Sequence, residues 1–83
     1  MISEIVFGQR TTIKWRNYDG IVETRYVIPL SVRCESVSTA CDKVKAKVGN
    51  TPPEWTLYCV DLGRLDRGAF RSFALARLEV VKE

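Results

Sequence analysis

The chain has 83 residues, an ordinary globular 46% of them hydrophobic, and 13 basic against 10 acidic side chains for a net charge of +3. That length holds one domain with one small core, and no apolar run approaches the roughly 18 residues of a membrane span. The charge is too mild for a histone-like polycation, and the lack of histidine removes the commonest general base and metal ligand.

In chain order, Ile2 to Phe7 carries one acid among mainly apolar residues before Gly8, which predicts a helical turn or a short edge strand. Thr11 to Tyr18 alternates, with Thr11, Ile13 and Trp15 against Thr12, Lys14 and Arg16, the pattern of a half-buried strand. Asn17-Tyr18-Asp19-Gly20 supplies a hairpin turn, since glycine accepts the positive φ such a loop needs. Ile21 to Val32 reads as the returning strand. Pro29 cannot donate to a ladder, so the strand is an edge there or bends.

The stretch that follows changes character. Thr39 is a candidate cap, and Ala40, Val44 and Val48 form a stripe at helical spacing that Gly49 would stop. Lys43, Lys45 and Lys47 point elsewhere around that helix. Asn50-Thr51-Pro52-Pro53 is a stiff exit loop. Trp55 to Val60 is apolar on both faces and predicts a central strand. Gly63 to Gly68 is a polar turn. Ala69 to Val81 has strand character, but a straight strand would put Arg71, Phe73, Leu75 and Arg77 on one face. A break near Ala74-Leu75-Ala76 would turn Phe73 in and the arginines out. The expected core is Trp55, Phe73 and Leu75, with Trp15 either core or a stacking surface.

Cys34, Cys41 and Cys59 form no C-x-x-C pair and read as reduced thiols, although a Cys34–Cys41 disulfide is open. The N-terminal residues show neither the basic nor the apolar region of a signal peptide, so a cytoplasmic location is expected. No serine or cysteine lies near an evident base, and an aspartate in a Gly/Arg turn is ordinarily structural. Neither an enzyme nor a cofactor is therefore expected.

Three pieces in order resemble the WYL domain, a bacterial and phage module. The first is Thr12-Ile13-Lys14-Trp15, then Asp19-Gly20, then Arg25-Tyr26-Val27-Ile28-Pro29. The second is Trp55-Thr56-Leu57 followed by Asp61. The third is Arg71-Ser72-Phe73-Ala74-Leu75-Ala76-Arg77-Leu78. Two departures stand out: Thr56 occupies the place of the family's tyrosine, and Arg33 to Pro53 is longer than the family's usual link. The resemblance implies an SH3-like or Sm-like barrel that senses nucleic acid or nucleotides and often aids dimerisation. WYL domains usually follow a helix-turn-helix domain, for which this chain has no room.

The expected fold is mainly β: one domain over residues 1–83, a small five-stranded, strongly bent antiparallel barrel with one helical insertion at residues 38–49. The expected function is a regulatory binding module for a nucleic acid or nucleotide-type anion. Arg25, Arg71 and Arg77 fall on the family's arginine positions and offer forks of donors suited to phosphate. They read equally well as strand-face arginines paired with Glu23, Asp61 or Glu79. Trp15 or Tyr58 would stack on a base. Lys43, Lys45 and Lys47 would extend the basic surface. The alternative is a protein-interaction module of a phage or mobile element that docks on a host or defence protein. A homodimer is expected under either reading.

Overall fold

The structure, a computed structural model, describes residues 4–66 and 68–81, leaving the Ala40 side chain undescribed. Five antiparallel strands form one sheet: β1 (Thr11–Arg16), β2 (Val22–Glu35), β3 (Glu54–Asp61), β4 (Phe70–Ala74) and β5 (Leu78–Val80). Their order across the sheet is β4-β3-β2-β1-β5. The two edge strands are thus neighbours in the chain, joined by a 3-10 turn at Leu75–Arg77. Two short helices, α1 (Val37–Ala40) and α2 (Asp42–Val48), stand between β2 and β3. The mainly β expectation holds, and the break expected near Ala74–Ala76 is this 3-10 turn. Among the described residues no helix is long and apolar enough to cross a membrane.

The β1–β2 hairpin closes through Asn17, whose Oδ1 accepts from the backbone N–H of Asp19 (2.9 Å) and Ile21 (3.0 Å). Gly20 takes the positive φ of 81° that the turn requires. β2 is the longest strand because it serves two ladders. Residues 22–27 pair with β1 and residues 27–35 with β3, so it bends between two halves of the sheet. The register slips between Pro29 and Ser31, where proline has no N–H to give. Gly8 reaches in to donate its N–H to the Pro29 carbonyl at 2.7 Å.

Alternation and register define one inner face. Ile13, Trp15, Val27, Cys59 and Phe73 pack on it as the core, with Tyr18 and Leu78 against them. The Trp15 and Phe73 rings meet edge to face, 5.1 Å between centroids. Each large apolar group buried here contributes about 1.5–3 kcal/mol.

Several expectations are corrected. Trp55 is 61% exposed, not core, because β3 begins beyond the reach of β4, whose last paired residue, Ala74, lies opposite Thr56. Leu75 is only half-buried, in the 3-10 turn. The helical insertion is two helices, broken where Cys41 adopts extended backbone (φ −144°). Thr39 lies inside α1 and caps neither helix, and Val48 is exposed. A hydroxyl cluster holds the insertion instead: Ser36 Oγ donates to the Thr51 carbonyl (2.7 Å), and the Thr51 N–H donates to Ser38 Oγ (2.8 Å). The helical turn expected over Ile2–Phe7 lies partly outside the described residues. Within them Ile5 is buried, and Phe7-Gly8 forms a turn.

Candidate functional site

The inner face is not wholly apolar. Cross-strand pairing sets Arg25 opposite Ile13, Asp61 opposite Val27 and Arg71 opposite Cys59, so three charged residues share the face with the core. Glu23, opposite Trp15, is a fourth. Arg71 was expected to point out. Strand alternation places it with Phe73 instead, and its guanidinium lies over the rings of Phe73 (4.7 Å) and Trp15 (5.2 Å). Two aromatic faces and a counter-ion make that placement tolerable.

The counter-ion is Asp61, which is fully buried. Its Oδ2 accepts from Arg71 Nη1 at 3.2 Å and lies 4.0 Å from Arg25 Nη1. Its Oδ1 accepts the Gly63 N–H at 3.0 Å, which caps the 3-10 turn Leu62–Arg64. That turn brings Arg64 back beside Arg71. Burial draws the Arg71 pKa below its ordinary value, the Asp61 hydrogen bond opposes this, and the Arg64 and Arg25 charges lower it further. Arg25 Nη2 pairs with Glu23 Oε1 at 2.9 Å, and Asn17 Nδ2 donates to Glu23 Oε2 at 3.1 Å. Two guanidinium groups, of Arg71 and Arg25, therefore flank one buried carboxylate, and the Arg64 charge acts on Arg71 beside them. The Nε atoms of Arg25 and Arg64 are buried without a hydrogen-bond partner.

A cavity of about 440 Å³ opens beside this cluster, within the size range of small-molecule sites. It takes in both faces of the edge strand β4: Arg71 from the inner face, Phe70 and Ser72 from the outer. Six of its lining side chains are basic (Arg25, Arg33, Lys43, Lys47, Arg64, Arg71) and three acidic (Asp19, Glu23, Glu35), so the wall is net positive. On the outer face, Arg33 Cζ lies 3.7 Å from the Tyr58 ring centroid, and Tyr58 stacks with Phe70 at 5.8 Å and 12°. These three planar groups stand on adjacent strands β2, β3 and β4.

The expected site residues divide. Arg25, Arg71 and Tyr58 meet at the cavity. Trp15 borders it too, but is core and supports Arg71 from below. Arg77 stands apart: its Nε donates to the Arg16 carbonyl (2.9 Å), its Nη2 to the Asn17 carbonyl (2.7 Å), and it covers the Tyr18 ring at 4.3 Å. It fixes the hairpin turn rather than the cavity wall. Lys43 and Lys47 line the cavity, and Lys47 pairs with Asp19; Lys45 is exposed outside the wall. Sequence reasoning missed Arg64, Arg33 and Phe70. An aspartate two residues before a glycine, capping a turn that ends in arginine, was the available signal for Arg64.

Cys34, Cys41 and Cys59 are free thiols. Burial, with Asp61 adding to it, pushes the Cys59 pKa up to about 12, so this thiol stays protonated near neutrality and its Sγ–H points at the Arg71 carbonyl, 3.7 Å away. Comparison with protein families, with curated proteins and with solved structures gives no significant match.

Proposed function

We propose that the chain is a non-catalytic binding module of WYL type whose arginine-lined cavity takes a nucleotide-type anion. One observation carries the reading: three guanidinium groups, Arg25, Arg64 and Arg71, cluster with a single buried carboxylate that contacts only Arg25 and Arg71, and among the described residues the Nε groups of Arg25 and Arg64 are unpaired. An unsatisfied buried donor costs about 1–3 kcal/mol. An anion with several oxygens, meeting the guanidinium groups at the cavity wall, relieves the mutual repulsion of the three cations. The same residues speak against catalysis. Asp61 is engaged by Arg71 and by the Gly63 N–H, and the Cys59 thiol is held neutral. A regulatory role in the cytoplasm, where the three thiols stay reduced, goes with this reading.

The test is titration calorimetry with inorganic phosphate and with a single-stranded oligonucleotide over a salt series. Both probes should bind, more weakly as salt rises. R64Q should lower the oligonucleotide's log–log salt slope by about one, while R77Q leaves it unchanged. No binding of either probe at low salt, or equal slopes for R64Q and wild type, would overturn the proposal.

A further inference from the structure

Arg33, Tyr58 and Phe70 form a stack three groups deep, rising side by side from β2, β3 and β4. Tyr58, half-buried on the middle strand, has the Arg33 guanidinium over its ring from β2 and the Phe70 ring stacked on it from β4. Phe70 is different. It ends the stack on an edge strand and is 63% exposed. A phenyl ring stacked on Tyr58, open to solvent and set in the wall of a basic cavity lies outside the core cluster, so burial does not account for it. Water is a poor neighbour for that ring face, and a flat aromatic heterocycle is a good one. The next residue, Arg71, points to the opposite face of the same strand, where Arg64 and Arg25 stand.

We infer that Phe70 is the base-stacking plate of the cavity: a nucleotide passes round the edge strand β4, which the cavity spans, with its base on the Phe70 ring and its phosphate against Arg64 and Arg71. Arg33 completes the stack from the far end, where its guanidinium lies over the Tyr58 ring. The inference rests on the anion-binding reading above and adds to it the group that distinguishes a nucleotide from a bare phosphate. The nucleotide is either free or one unit of a single strand, because both present the same base and phosphate.

The experiment compares ligands that share a phosphate and differ in a base: adenosine 5′-monophosphate against ribose 5-phosphate, and a deoxyadenosine oligonucleotide against its abasic counterpart of equal length. In the wild-type protein the base should raise affinity on the order of tenfold in at least one pair. Phe70→Leu, which keeps an apolar side chain and removes the plate, should abolish that gain and leave the base-free ligands unchanged. Phe70→Trp should restore it. A gain in both pairs identifies a free nucleotide as sufficient, and a gain in the oligonucleotide pair alone identifies a strand; each supports the stacking role. Equal affinity with and without the base, or a Phe70→Leu loss that is the same for both members of a pair, overturns it while leaving the anion site standing. No binding of any of the four ligands overturns the anion site as well.

Discussion

Asp61 is where the architecture is most exposed to a single change. D61N keeps the shape of the side chain and its acceptor for the Gly63 N–H, but removes the charge. The amide nitrogen would then face Arg71 Nη1 across 3.2 Å, donor against donor. Breaking a buried ion pair costs about 3–5 kcal/mol. Here Arg71 and Arg25 are 21% and 25% exposed, and water reaching them reduces the loss to about 2–3 kcal/mol. A domain of 83 residues has about 4–12 kcal/mol in total. The melting temperature should therefore fall by at least about 8 °C, and the urea midpoint should fall with an unchanged slope. The second half of the prediction concerns phosphate. D61N leaves three guanidinium groups with one negative charge fewer among them, so a bound anion should stabilise the variant more than the wild type. A ligand at a hundred times its Kd adds about 2.7 kcal/mol, enough to recover most of the loss. Thermal melts of both proteins across a phosphate series would measure this. A D61N midpoint equal to wild type would refute the ion-pair argument, and equal phosphate shifts in the two proteins would refute the charge argument.

R77A removes two charged hydrogen bonds to the hairpin carbonyls and a cation over Tyr18, and should cost about 1–2 kcal/mol in urea denaturation with phosphate affinity unchanged. Lost phosphate binding in a folded R77A would return Arg77 to the site. The Cys59 thiol, raised from 9.0 to about 12 in the fold, makes stability fall with rising pH. The folded state holds the proton that the unfolded chain gives up, so the contribution is intact below about pH 9 and is lost progressively between about pH 9 and 12. By about pH 10 the loss is on the order of 1 kcal/mol, and C59A should lack that part of the slope. Denaturation curves at about pH 8 and 10 give the difference between the two proteins, and parallel pH dependence would sink this account.

Local chemistry made most strands legible. The alternation in Thr11–Arg16, the Asn17–Gly20 turn and the charge conflict over Arg71–Arg77 each state their structure in the residues themselves. What was not legible depended on register. Before Pro29, odd-numbered residues of β2 face inward; after the slip, Val32 pairs with Leu57 and even-numbered residues do, so Arg33 turns to the outer face beside Tyr58. A one-residue bulge thus created the stack, and no periodicity in the sequence announces it. Trp55 failed for a similar reason. Its parity matches Leu57 and Cys59, but β4 pairs only from Thr56 onward, so no strand on that side covers it. The break of the insertion at Cys41 has no sequence signal that we can identify.

The inner-face charges also bear on why this small sheet holds arginines where apolar groups would pack. Replacing a buried ion pair by well-packed hydrophobic residues is often neutral or stabilising by about 1–4 kcal/mol, so stability alone does not favour Glu23, Arg25, Asp61 and Arg71 at these positions. Their arrangement has another consequence. Asp61 holds Arg71 by one guanidinium nitrogen and Arg25 only at 4.0 Å, so neither fork is saturated. The carboxylate that steadies the cavity wall thereby aims two cations at the cavity without neutralising both. An acid one residue earlier on β3 would face outward, and without Asp61 the cluster would repel itself apart. Stability and anion affinity are therefore opposed at this residue. A variant that gains in one at Asp61 should lose in the other, whereas Phe70, outside the core, should change affinity with little effect on folding.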